Sequence, residues 1–183
     1  MRDEDPNGEP SDHVLIAQWR AGDERAATAL VARHAPALAR YAASMGVGEE
    51  GDELVQDTFV RAFGSLDGFR GESSLLTWLF TIERRLIFDR RRAAKRGART
   101  VDLEAEHLAT EHTALDGVVA VETEERVRAA VGRLTPTQRE VFTLRVNEGL
   151  SYKEIAELVA TTEGAARVHY HNALRRIKEL LDD

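Results

Sequence analysis

The chain has 183 residues, of which 43% are hydrophobic and 6% aromatic, with a formal net charge of −7 and no cysteine. Lack of cysteine excludes a disulfide framework, a thiolate metal site and a Cys nucleophile, and fits a reducing cytosol. The acidic opening MRDEDPNGEPSD is not a signal peptide, and no apolar run approaches the ~20 residues of a membrane span, so a soluble, cytoplasmic protein without membrane insertion is expected.

Alanine, leucine, glutamate and arginine dominate, which favours helix over sheet. Residues 1–12 are charged and hold Pro6, Gly8 and Pro10, so they are expected to be disordered. Ser11 or Asp12 caps a first helix carrying Val14, Leu15, Ile16 and Trp19, which ends at Gly22. Asp23 caps a second, with Ala26, Ala27, Leu30, Val31, His34, Leu38 and Tyr41 at helical spacing. Asp52 is expected to cap a third, whose apolar face is Leu54, Val55, Thr58, Phe59, Ala62 and Phe63. Glu53, Gln56 and Asp57 share its opposite face. After the loop LDGFRGESS, Ser73 or Ser74 opens a fourth helix that ends at Gly97, with Trp78 on its core side beside Leu79 and Ile82. No segment alternates with period two.

The net charge hides a strong internal asymmetry. Residues 81–99 hold eight basic side chains against Glu83 and Asp89, whereas residues 102–125 hold eight acidic ones and no Lys or Arg. A basic stripe binds polyanions locally even in an acidic protein, because fields decay within a Debye length of ~8 Å. Residues 98–121 are acidic and weakly periodic and read as a flexible linker, with a helix from Glu122 onward and an earlier start near Leu115 left open. Thr135 then caps a helix with Pro136 at its first position, and Gly149 stops it.

From Ser151 to Leu181 the chain has the plan of a helix-turn-helix. Ser151 caps a helix over 152–159, and Thr162 caps the last one. Small Ala156 and Ala166 let the two helices cross closely. Arg167, Val168, His171 and Asn172 then face outward at the start of the second helix, as readout in a DNA major groove requires, while Arg175, Arg176 and Lys178 reach phosphates. A helical hairpin with a solvated polar face fits the same spacing.

Three motifs now carry a resemblance. RLTPTQREVFTLRVNEGLSYKEIAELVATTEGAARVHYHNALRRI resembles region 4 of bacterial sigma factors of the extracytoplasmic-function (ECF) group. GDELVQDTFVRAF resembles their region 2.2, and FRGESSLLTWLFTIERRLIFDRRR their regions 2.3 and 2.4. They stand in family order and, with the preceding helices, cover nearly all of residues 13–181. The resemblance implies an all-α fold of two small helical domains, sigma-2 (13–97) and sigma-4 (122–183, with the helix-turn-helix), joined by the flexible acidic linker.

It also implies roles. Glu53, Gln56 and Asp57 match the face that docks on the beta-prime clamp helices of core RNA polymerase, and the helix from Pro136 to Val146 matches the part that packs on the beta flap. Phe69, with the 67–74 loop, and Arg84, Arg85, Arg90, Arg91 and Arg92 match the element that reads and melts the −10 promoter region. Arg167, Val168, His171, Asn172 and Arg175 match the reader of the −35 element. The acidic linker matches a segment that threads polymerase, although a solvated spacer fits its composition equally. The resemblance further implies an anti-sigma partner. Where this chain departs from the pattern, Ala160 stands at a turn that often holds Gly, so a different bend is expected there. Glu83 and Arg85 also replace a common Ala and a frequent Asn.

No Walker loop, HExxH or G-x-S-x-G is present, so no enzymatic activity and no cofactor are expected. His107 and His112, with Glu104, Glu106 and Glu111, match no metal-ligand spacing. The rival reading is a helix-turn-helix regulator that binds duplex DNA without polymerase.

Overall fold

The structure is a computed structural model that describes residues 8–98 and 118–182. Among these residues all regular structure is helical: α1 (Asp12–Arg20), α2 (Glu24–Ser44), α3 (Gly51–Gly64), a 3-10 turn (Leu66–Gly68), α4 (Leu75–Ala98), α5 (Val118–Gly132), α6 (Pro136–Val146), α7 (Tyr152–Val159) and α8 (Glu163–Asp182). The linker expected over 98–121 is corrected at both ends, since α4 runs to Ala98 and residues 118–121 already belong to α5. Residues 99–117, with the His107 and His112 cluster, lie outside the described residues. Of residues 1–12, expected to be disordered, 1–7 also lie outside them, whereas Ser11 caps α1 and Asp12 opens it. No described helix is long and apolar enough to cross a membrane.

Local chemistry places most helix starts. The Ser11 hydroxyl accepts from the Val14 amide, and the Asp23 carboxylate from the Arg25 amide. Ser74, rather than Ser73, caps α4 by accepting from the Thr77 amide at 3.1 Å. Thr135 with Gln138, and Ser151 with Glu154, form reciprocal capping boxes. The third helix departs from expectation. It starts at Gly51, and its cap residue, Glu50, makes no side-chain bond to the first-turn amides. Asp52 therefore lies inside the first turn, where its charge faces the positive end of the helix dipole. The fourth helix also continues one residue past Gly97.

The α7–α8 turn gives a second correction. Ala160 adopts the left-handed conformation (φ 59°, ψ 54°) in which glycine is common, so the turn is not bent differently. The Thr161 amide bonds the Ala156 carbonyl at 2.9 Å, and buried Ile155, Leu158 and Ala166 flank the corner. That packing and hydrogen bonding offset the ~1–2 kcal/mol cost of Cβ in this conformation.

Helices α1–α4 form an N-terminal unit and α5–α8 a C-terminal unit. Their interiors are not separate. One cluster of buried apolar side chains runs from Leu15, Leu38, Tyr41, Phe80 and Ile87 of the first unit to Val141, Leu144, Ile155 and Leu158 of the second. A smaller cluster of Ala130, Leu134, Ala173 and Ile177 joins α5 to α8.

Candidate nucleic-acid interface

The last two helices cross on Ala156 and Ala166, both buried. This crossing turns the next residues of α8 outward: Arg167, Val168 (57% exposed) and His171 face solvent, and Asn172 is half-buried. The expected apolar stripe holds for Ala166, Ala173 and Ile177, but Leu174 is 40% exposed. Arg167 is positioned twice over. Its guanidinium lies 4.9 Å from the Tyr152 ring centroid and donates to Glu163 at 2.5 Å. Tyr152 also carries Arg145 at 4.9 Å and meets the edge of Tyr170. Sequence reading passed over Tyr152, whose position beside Arg167 depends on the helix crossing. Asn172 accepts from Arg175 at 3.1 Å, and both line an open cleft of about 400 Å³ with Arg133, Thr135 and Gln138. Such a cleft offers cationic and amide donors to a phosphate.

The second surface is α4 and the loop before it. Arg20 of α1 donates to the Leu66 carbonyl at 2.8 Å and fixes the start of the loop, and Gly71 supplies its left-handed residue (φ +72°). Phe69 is half-buried, with its ring 5.2 Å from that of Trp78, itself partly packed on the core. Along the helix the basic residues fall into two groups. Arg85, Lys95 and Arg96 are exposed and hold no protein partner among the described residues, whereas Arg84, Arg91 and Arg92 hold one, although Arg91 and Arg92 are also exposed. Arg84 lies over Phe88 at 4.6 Å and donates through Nε to Glu140 at 2.8 Å. Arg91 donates to the Met45 carbonyl, and Arg92 pairs with Asp89.

Arg90 connects two residue sets that the resemblance assigns to different ligands. It donates to Glu50 and Glu53 at 3.2 Å and to Asp57 at 2.7 Å. These acids raise the affinity of its guanidinium for its proton, led by the Asp57 hydrogen bond. Gln56 is exposed beside them. The acidic face of α3 and the basic stripe of α4 thus meet along one edge.

Across the two units the polar contacts run in one direction. Tyr41 donates to Glu140 at 2.6 Å and Arg84 to the same oxygen. Arg40 donates to both oxygens of Glu148 at 3.0 and 2.9 Å, and Thr77 to Glu154 at 3.1 Å. In each of these contacts the N-terminal unit supplies the donor and the C-terminal unit the acceptor. Burial, reinforced by Glu140, pushes the Tyr41 hydroxyl well above its usual range. Burial also acts on Glu154 in the raising sense, but bonds from Ser151 and Thr77 outweigh it and hold that carboxyl below its usual range. Glu83 is the exception at this junction. It is 0% exposed, both carboxylate oxygens lack a partner, and burial with the nearby Glu148 charge pushes it up to about 9. Neither Glu83 nor Glu140 stood out in the sequence as a buried acid.

Comparison with known proteins agrees with this geometry. Family models for sigma-70 region 2 and sigma-70 region 4 match residues 30–97 and 124–177. The chain is 36% identical to the RNA polymerase sigma factor CnrH of Cupriavidus metallidurans, over 96% of this chain and 97% of that one. It is 29% identical to the ECF RNA polymerase sigma-E factor of Haemophilus influenzae, covering 92% and 94%. Among solved structures, the sigma factor RpoE in complex with the anti-sigma factor NepR from Bartonella quintana superposes with a TM-score of 0.75 at 28% identity. That match covers 85% of this chain and 96% of RpoE. CnrH in complex with the cytosolic domain of CnrY gives 0.66 at 31% identity, covering 93% and 97%.

Proposed function

This chain belongs to the extracytoplasmic-function group of the sigma-70 family and directs transcription initiation from promoters, and we propose how its surfaces divide that work. The N-terminal half of α8 reads the −35 element through Arg167, Val168, His171 and Asn172, while Arg175 and the adjoining cleft hold phosphates. Arg85 and the other arginines of α4, with the Phe69 loop, bind and help melt the −10 element. An exposed basic stripe beside aromatics suits single-stranded DNA. Glu53, Gln56 and Asp57 dock on the beta-prime clamp helices of core polymerase, and α6 packs on the beta flap.

The observation that carries this reading is the outward quartet on α8, with Arg167 already held over Tyr152. The acidic α3 face supports the docking role, because carboxylate and amide side chains suit a basic helical partner. RpoE was solved in complex with the anti-sigma factor NepR, and CnrH in complex with the cytosolic domain of CnrY. An anti-sigma protein is accordingly proposed for this chain as well.

The test is capture of purified core polymerase by the parent chain and by Glu53→Lys/Asp57→Lys, followed by run-off transcription on genomic fragments. Binding lost in the double variant, with transcripts from a discrete promoter set in the parent, is the expected result. Polymerase capture that the charge reversal leaves intact would overturn the docking assignment. Unaided binding to duplex DNA without polymerase capture would overturn the division of labour as a whole.

A further inference from the structure

We propose that Glu163 is a positioning and specificity-determining residue for −35 readout. Its carboxylate offsets the charge of Arg167 and fixes its guanidinium, so that this arginine reads a base edge and gains little from a phosphate. The inference rests on the reading of Arg167 as a −35 contact.

Three observations carry it. The first is the double hold on Arg167. One terminal nitrogen donates to Glu163 Oε1 at 2.5 Å, and the guanidinium carbon lies 4.9 Å from the Tyr152 ring centroid. Both partners of the ion pair are about half exposed, at 55% for Arg167 and 50% for Glu163. An exposed pair four residues apart contributes little to stability, so its consequence lies at the surface that meets DNA. A guanidinium carries five N–H donors in a planar fork, and one bond to Glu163 leaves the others for a base edge.

The second is that Glu163 has no other task in the fold. Thr162 caps α8, its hydroxyl accepting from the Ala165 amide at 3.1 Å. Arg167 is the one partner of the Glu163 carboxylate among the described residues.

The third is the division of charge. Counting histidine as neutral, the outward quartet of Arg167, Val168, His171 and Asn172 holds a single cation, and Glu163 offsets it. Arg145, the other cation on Tyr152, is tied to the Leu150 carbonyl at 2.8 Å. The cleft beside the quartet holds Arg133, Arg175 and Arg176 against Glu179. Phosphate affinity is thereby placed in the cleft, and the reading face is left near neutral. An uncompensated arginine on that face would strengthen binding to any sequence. A carboxylate beside it supplies the repulsive element that discrimination needs.

The test uses holoenzyme assembled from core polymerase and the full chain. It is titrated, over a series of salt concentrations, against a promoter from the run-off set with its −35 element intact or scrambled. Glu163→Gln keeps the shape of the side chain and should tighten binding to the scrambled duplex, so that discrimination falls roughly three- to tenfold. The logarithmic salt dependence on that duplex should steepen by about one, the mark of an added phosphate contact. In the Arg167→Ala background Glu163→Gln should have no further effect on discrimination. Capture of core polymerase at the parent level shows that each variant is folded.

An equal change on both duplexes, or no change on either, would overturn the inference. So would a Glu163→Gln effect that survives in full in the Arg167→Ala background, because Glu163 would then contact DNA directly rather than act through Arg167. Discrimination lost in Arg167→Ala but kept in Glu163→Gln would sink the role of Glu163 alone. Parent-like discrimination in Arg167→Ala would sink the −35 reading of Arg167, and this inference with it.

Discussion

A carboxyl group with no hydrogen-bond partner, such as that of Glu83, stays in a core only while it holds its proton. Glu148 of the C-terminal unit acts on it through its charge, and Tyr41 of α2 lies within reach of the Glu83 charge. Its pKa is raised in the folded chain from 4.5 to about 9. Between those values the folded state holds a proton that the unfolded state has released, so stability falls as pH rises through that window. Glu83→Gln keeps the shape and removes the titration. Thermal melts should show the variant more stable than the parent at pH 8, by ~1–3 kcal/mol, the scale of an unsatisfied buried polar group, with the gap narrowing toward pH 5. Parallel melting curves for the two proteins across that range would disprove the assignment. Arg167 presents a different case, because its stacking on Tyr152 holds the guanidinium ready for a base. Arg167→Ala should lose ~1–3 kcal/mol of discrimination between −35 and scrambled duplexes, with core polymerase binding unchanged. Tyr152→Leu should reduce the same discrimination by less, and Tyr152→Phe should retain it, in parallel binding titrations.

At the scale of the element, the helix-turn-helix depends on one strained corner and one close crossing. Ala160 sits at φ 59°, where a Cβ costs ~1–2 kcal/mol and glycine is at ease. Ala160→Gly should therefore raise the unfolding midpoint, by up to about 1 kcal/mol once the backbone entropy of glycine is set against the relief of strain. Ala166 is 0% exposed at the crossing. Ala166→Leu should cost ~1–3 kcal/mol by overpacking and weaken −35 binding in the same titrations, since the two helices can no longer hold their angle. The caps at Ser11, Asp23, Thr135 and Ser151 were legible in the sequence because a cap and its amide lie within three residues. The start of α3 was not, because its first turn makes no cap and Asp52 mimics one. Ala160 replaces the glycine expected at this turn, yet it adopts the left-handed conformation that glycine favours. The packing around a turn, and not the residue in it alone, decides its shape.

For the whole molecule, the two units share one buried apolar cluster. Leu144 of α6 belongs to it at 0% exposure. Leu144→Ala should cost ~2–5 kcal/mol and lower a single calorimetric transition, because both units lose the same packing. Two separate transitions in the parent would show that the units unfold independently. The charge asymmetry also acts at this scale. The net charge of −7 conceals exposed Arg85, Lys95 and Arg96 on α4, so DNA binding should weaken steeply with salt despite the overall sign.

Helical periodicity, caps, the close crossing on two alanines and the ordered motifs are local signals, each contained within a few turns of chain. They were enough to determine the all-α class, the helix-turn-helix and the family. The partners of the charged residues were decided only by tertiary structure. Arg84 meets Glu140 across 56 residues, Arg90 meets Asp57 across 33, and Tyr41 meets Glu140 across 99. A run of arginines in sequence records charge but not which carboxylate the fold brings against each one. Helical period likewise places Glu83 on the core face without revealing that the face is covered. That follows from the docking of a second unit, whose contacts no local spacing encodes.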